Sequence, residues 1–235
     1  IVFVALVGAW RQRGYGNVRV RDGLLVGALF WTGHARRGRM MRGVLLLLAV
    51  LFMAWPVSPA GMTVTAISVG QGDSILLSRS GGRHYLIDGG GLRSETFDVG
   101  ERLVAPALGW LGVRKLEAVV LTHDHPDHRK GLIFVLGHFA VKAFWTDIPF
   151  DRLDPTLKAV LQARKTPIVR YRPGWTILDD GQNRGLAVFV PPQHGASLND
   201  RSLVVVARRG REGVLLTGDL ESAGVRSLVV SHPPA

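Results

Sequence analysis

Cysteine is absent from all 235 residues. Its absence excludes a disulfide framework and any thiolate-rich structural metal site, and it leaves the redox compartment open. Internal repeats and low-complexity tracts are missing too, so the chain is not an array of small stacked units. Acidic residues are scarce, 18 against 29 Lys and Arg, for a net charge of +11. The excess is uneven. Residues 1 to 60 hold eight Arg and one Asp, a net +7, and the remainder has 21 basic and 17 acidic residues, a net +4. The larger C-terminal part is therefore only mildly basic, and the overall charge by itself does not define a nucleic-acid surface.

Long apolar runs are few. Val44 to Val57 is unbroken, but as a helix it extends about 22 Å, short of the roughly 30 Å hydrocarbon core of a bilayer. It spans if Met40, Met41 and flanking residues join it, with Arg42 snorkelling to the headgroups. A rival reading is a signal peptide beginning at Met40 or Met41, with a basic start, an apolar centre and a small-residue end. Both readings export the C-terminal part of the chain. The arginines before the run stay in the cytoplasm and residues from about 62 emerge on the outer face. Ile1 to Trp10 and Leu24 to Trp31 are shorter apolar runs, expected as the end of an earlier span and an interfacial piece. The chain opens without methionine inside an apolar segment, as expected of a fragment of a larger membrane protein. The soluble alternative is a buried helical hairpin.

With 47% apolar residues, the rest of the chain has material for a sizeable core. From Gly61 onward short apolar runs are punctuated by glycine. Strands are expected over Met62 to Val69, Ser74 to Ser78 and His84 to Asp88, joined by tight glycine turns. Asp98 to Leu111 has helical spacing. Then come strand Glu117 to Leu121, helix Arg129 to Leu136, strand Val141 to Thr146, helix Asp154 to Ala163, and strands Ile168 to Tyr171, Leu186 to Val190, Leu203 to Arg208 and Val214 to Thr217. This order suits an α/β fold with two packed sheets and helices outside.

The densest chemistry lies in Thr122-His123-Asp124-His125-Pro126-Asp127-His128, directly after an apolar strand. His123 and His125 alternate and can present two imidazoles to one cation, while Asp127 and His128 can turn toward a second. Imidazole with carboxylate is a donor set for Zn, Mn or Fe, and it favours a site that keeps water over a structural staple. Asp88, ahead of Gly89-Gly90-Gly91, can orient a ligand histidine from behind or simply form a turn. Gly89 and Gly90 can offer backbone N–H groups to an anionic substrate, or serve as flexible loop residues.

The His-x-His-x-Asp-His pattern, with Leu86-Ile87-Asp88-Gly89-Gly90-Gly91 upstream and Leu215-Leu216-Thr217-Gly218-Asp219 downstream, resembles the signature of the metallo-β-lactamase-fold hydrolases. Val69-Gly70-Gln71-Gly72-Asp73-Ser74 and Asn199-Asp200-Arg201-Ser202-Leu203-Val204 narrow the resemblance to the C-terminal domain of ComEC, a family of polytopic DNA-uptake channel proteins. It covers residues 62 to 222. The resemblance implies an αββα sandwich over residues 61–235 behind membrane segments at 1–60, with Zn or Mn, one or two ions, as cofactor. It implies His123 and His125 on the first metal, Asp127 and His128 on the second, and Asp219 bridging them. Asn199 and Ser202 would rim the pocket.

Two departures accompany the resemblance. The third histidine of the first metal has only His194, in a loop after a strand, as candidate, and a simple loop role remains the alternative. A further histidine usually lies beyond the bridging aspartate at a greater distance than His232 does, so the second sheet and second metal site are expected to be incomplete. His138 ends a helix and suits a C-cap.

Three functions fit. One is a metal-dependent hydrolase cleaving DNA phosphodiesters at the outer face of the inner membrane, working with other DNA-uptake components. Two cations about 4 Å apart make a protein nucleophile unnecessary. The others are a hydrolase of a small ester, lactam or thioester, and a scaffold of the channel without catalysis. Arg93, Arg129, Lys130, Arg201, Arg208 and Arg209 are candidate phosphate contacts.

Overall fold

The computed structural model describes residues 43–45, 47–48, 61–91, 96–179, 185–192 and 197–232. The chain divides into two compact units, Ile1–Val57 and Ser58–Ala235. Of the first unit, residues 43–45 and 47–48 are helical with mostly exposed side chains. Among the described residues no helix is long and apolar enough to cross a membrane. The segments expected to do so fall almost wholly outside them.

The second unit is built on two sheets. Strands β1 (Thr63–Ala66), β2 (Ile75–Arg79), β3 (Arg83–Ile87), β5 (Ala118–Val120), β7 (Phe144–Thr146) and β8 (Ile168–Arg170) form a six-stranded sheet in that order. Its first three strands pair antiparallel as a meander, and from β3 onward the pairing is parallel. A four-stranded antiparallel sheet runs β12 (Glu212–Leu216), β11 (Val204–Arg209), β10 (Leu186–Val190), β9 (Gly174–Asp179). A small parallel pair joins β4 (Lys115–Leu116) to β6 (Ala140–Val141). The expected strand Val141 to Thr146 is thus two strands in different sheets, because Lys142 N–H bonds to Leu116 O and ties the start of that segment to β4.

Side-chain alternation sorts the core into two layers. Tyr85, Ile87, Ala118 and Val120 face Leu186, Val188, Val190, Val205, Ala207 and Leu216 between the sheets. Leu86, Val119, Leu121 and Phe144 face the other way, onto the helices. Those helices are α1 (Ala105–Trp110), entered through a π turn at Gly100–Val104, α2 (Pro126–His138) and α3 (Pro155–Ala163). They bury Val104, Leu108, Leu132, Val135, Leu136, Leu157 and Leu161. The last helix, α4 (Ser222–Val230), comes after the second sheet.

Helix α2 begins at Pro126, earlier than the apolar spacing suggests. His125 is its extended N-cap and Pro126 occupies the first helical position, where a ring-fixed φ and a missing N–H cost nothing. Asp127 and His128 therefore project from a rigid first turn, not from a loop.

Candidate metal centre

The centre lies where the C-terminal ends of β3 and β5 meet the loops of the second sheet. Because β3 and β5 are parallel with Ile87 opposite Val120, the residues leaving them are neighbours. Asp88 takes φ +57, an uncommon left-handed backbone for a non-glycine residue, and Asp tolerates it better than most. Its N–H bonds to Val120 O at 2.9 Å, and its fully buried side chain turns to Thr122. Two contacts join the sheets at that point: Leu203 N–H donates to Thr122 O at 2.9 Å, and Gly218 packs against the Thr122 side chain. A Cβ on Gly218 would sit 2.7 Å from Thr122 Oγ1 at φ +52, so glycine is required there. The next residue, Asp219, is thereby delivered to the histidines.

His123, His128 and Asp219 bring one donor atom each within 4.8 Å of one another. The two oxygens of Asp219 divide between them: Oδ1 lies 3.3 Å from His128 Nε2 and Oδ2 lies 4.0 Å from His123 Nε2. His125 joins through Nδ1, 3.0 Å from His123 Nε2. Asp127, half-buried in the first turn of α2, is close enough for its charge to act on both His123 and His128.

Hydrogen bonds behind the two histidines fix the orientation of their rings. Thr122 donates its backbone N–H to Asp88 Oδ1 at 2.9 Å and its hydroxyl proton to Asp88 Oδ2 at 2.7 Å. With that proton committed, Thr122 Oγ1 can only accept from His123 Nδ1, 3.1 Å away. Ser202 Oγ, 3.3 Å from the same nitrogen, is a second partner. The unprotonated Nε2 of His123 is left facing the cluster. His128 Nδ1 donates to Asp88 Oδ2 at 2.8 Å, which turns its Nε2 toward Asp219. That buried Nε2 makes no hydrogen bond and faces Asp219 Oδ1 at 3.3 Å as a charge contact only, a pairing that a cation shared by the two atoms would complete. A divalent cation fits this donor set: imidazole nitrogens with their far side hydrogen-bonded, and a carboxylate with an oxygen toward each.

The charges obey the same geometry. Burial lowers His123 to about 4, helped by the neighbouring rings of His128 and His125, so the ring is neutral at physiological pH. Burial also opposes a charge on His128, but the bond and charge of Asp88, with Asp219 and Asp127 beyond, outweigh it and push the ring up to about 9. Asp88 itself is raised by burial, and the bonds from His128 and Thr122 counter that rise.

The other candidates fall into place around this centre. Gly89 N–H donates to His128 O at 2.8 Å and Gly90 N–H to Asp73 O at 2.7 Å. Both amides are already bonded within the fold, and these glycines serve close backbone packing, not an open anion nest. Asn199 points away, its Nδ2 donating to Glu221 Oε1 at 2.9 Å. Asp200 accepts from Ala223 and Gly224 N–H at 3.0 and 2.8 Å, capping α4. Arg129 pairs with Asp124 and with Asp154 at 3.2 Å, tying α2 to the start of α3. Arg208 and Arg209 are exposed. His138 Nδ1 donates to Phe134 O at 2.9 Å, and His232 is exposed and outside the donor cluster. His194 and Arg93 lie outside the described residues. Thr122 is the member of this hydrogen-bond chain that the sequence motif alone conceals, since a threonine before a histidine run gives no sign of which proton it holds.

The family model of the Metallo-beta-lactamase superfamily matches residues 67–234. ComE operon protein 3 of Bacillus subtilis is 30% identical over 206 residues, covering 81% of this chain and 26% of that protein. Competence protein ComA of Neisseria gonorrhoeae is 29% identical over 168 residues, covering 71% of this chain and 21% of that protein. The chain thus spans about a quarter of the length of these curated relatives. A metallo-beta-lactamase from Thermotoga maritima, of known crystal structure, is 16% identical with a TM-score of 0.47, covering 72% of this chain and 90% of its own. The resemblance to ComEC read from the motifs is matched by these competence-protein relatives, and the chain belongs to the metallo-β-lactamase superfamily.

Proposed function

We propose that residues 61 onward form the metal-dependent hydrolase domain of a DNA-uptake channel protein and cleave DNA phosphodiesters on the outer face of the inner membrane. One observation carries the reading: a carboxylate on Asp219 with one oxygen toward each of two imidazole rings that are held by hydrogen bonds from behind. Bound there, divalent cations of the Zn or Mn class, one or two per chain, would supply Lewis acidity and lower the pKa of a water toward neutrality. His123 and His125 would hold a first ion, His128 and Asp127 a second, and Asp219, with an oxygen toward each of His123 and His128, would serve both, with His194 as a further donor to the first. Asp88 and Thr122 keep the lone pairs aimed inward. Ser202 steadies His123, and no protein nucleophile is needed.

The DNA substrate is supported by the names of the relatives, which include a competence protein and a ComE operon protein. Residues 1–60, basic and apolar, would belong to the membrane part of the same channel and face other uptake components. Single- and double-stranded DNA offered to the full chain with Mn²⁺ or Zn²⁺ should be cleaved, and His123→Ala should abolish cleavage. Absence of cleavage in both the parent and the variant, under any of these metals, would sink the nuclease assignment. Hydrolysis of a small ester or lactam by the same preparation would redirect it.

A further inference from the structure

The Gly70–Asp73 turn and the Gly89–Gly91 loop come from different places in the sequence and close on the same peptide. Gly72, at φ +71, stands so near Asp127 that a Cβ there would overlap the Asp127 carbonyl oxygen and lie 2.6 Å from its carbon and 3.0 Å from its Cβ. From the other loop, a Cβ on Gly91 would overlap Pro126 O and lie 3.0 Å from Asp127 Cα. The two loops are also bonded to each other, Gly90 N–H to Asp73 O at 2.7 Å and Gly91 N–H to Gln71 O at 3.3 Å. They make a backbone bracket around residues 126 and 127, with no side chain between, and backbone does not yield as a flexible side chain would.

We infer that Gly72 and Gly91 are positioning residues that set the rotation of the Asp127 peptide, and hence the aim of its carboxylate at the second cation. The bracket rests on the proposed metal site. Its effect is selective: a side chain at either position should weaken the ion that depends on Asp127 and spare the one held by His123 and His125.

Asp127→Ala in the full chain defines the ion in question, by Zn²⁺ or Mn²⁺ titration against a competing chelator. Gly91→Ala introduces the clash alone, and Gly72→Asn introduces it with a residue that tolerates positive φ. Each should weaken that ion about tenfold or more, in the range seen for residues that orient ligands, with the other ion unchanged. Gly81→Ala, at φ +82 with nothing within 4 Å, and Gly109→Ala, also in open space, are the controls. Strain should lower the thermal midpoint of Gly81→Ala and helix propensity should raise that of Gly109→Ala, with metal affinity unchanged in both.

Amide exchange on the unmodified protein is a second measurement, independent of whether the variants fold. Coupling is reciprocal, so loading the Asp127-dependent ion should slow exchange across residues 70–73 and 89–91. Affinities in Gly91→Ala and Gly72→Asn within twofold of the parent, or exchange unaltered by loading, overturn the bracket while leaving the metal site intact. A parent chain that binds neither cation overturns the site, and the bracket with it.

Discussion

Asp88 governs His123 without touching it: the carboxylate takes the hydroxyl proton of Thr122, and Thr122 is then obliged to accept from His123 Nδ1. The same carboxylate binds His128 Nδ1 directly. One buried acid thereby sets both imidazoles.

Thr122→Val keeps the shape of the side chain and removes the relay. We expect metal affinity to fall about tenfold, with Thr122→Ser restoring it. Equal affinity in Val and Ser variants, measured by chelator competition, would show that the hydroxyl does nothing for the ligand.

Asp88→Ala should be the more severe change. It leaves His128 and Thr122 buried without their partner, at a cost of about 3–5 kcal/mol if the pair is ionised, and it frees both rings. The expected outcome is a lowered thermal midpoint together with lost metal content. Asp219→Ala separates the two effects, because its side chain is 41% exposed. The apo protein should melt nearly where the parent does, yet hold less metal.

Proton release on metal binding is dictated by the two histidines. His123, lowered to about 4, is neutral at pH 7 and releases nothing, whereas His128, raised to about 9, must lose a proton when a cation takes its Nε2. Affinity should therefore rise with pH through neutrality and level above about 9. Calorimetry in buffers of different ionisation enthalpy should count close to one proton at pH 7.5. For the metal-free fold the sign is opposite. The His128 contribution is fully present below 6.5, the value of an unfolded ring, and is lost as pH rises through 9.

Ser202→Ala and Asn199→Ala should behave differently although the two residues sit three positions apart. Ser202 contacts His123 and Asn199 contacts Glu221. Metal affinity should drop in the first and hold in the second, and the reverse order would contradict the assignment of Ser202 to the metal shell.

Much of the centre was legible in the sequence because ligand chemistry accumulates at strand ends, and the strand before His123 and the strand before Asp88 are both marked by apolar runs. The start of α2 was not, since Pro126 reads equally as a loop residue until the extended His125 is seen to cap it. Strand β9 carries no alternating signature, because Trp175, Ile177 and Leu178 put apolar groups on both of its faces. Helix α4 has no cap of its own at Glu221; its cap, Asp200, lies more than twenty residues upstream. The bond from Ser202 to His123 joins residues 79 apart, a separation at which no spacing rule operates. The glycines after Asp88 look like an anion nest by composition, and only their bonded amides reveal a packing role.

Asp219 hangs from the four-stranded layer, whereas His123 and His128 belong to the six-stranded one. An ion seated among them would therefore be a rivet through the sandwich. Any breathing that parts the layers would first have to eject it, so the rate at which a chelator strips the loaded protein would become a clock for that opening, ticking before either sheet begins to fray.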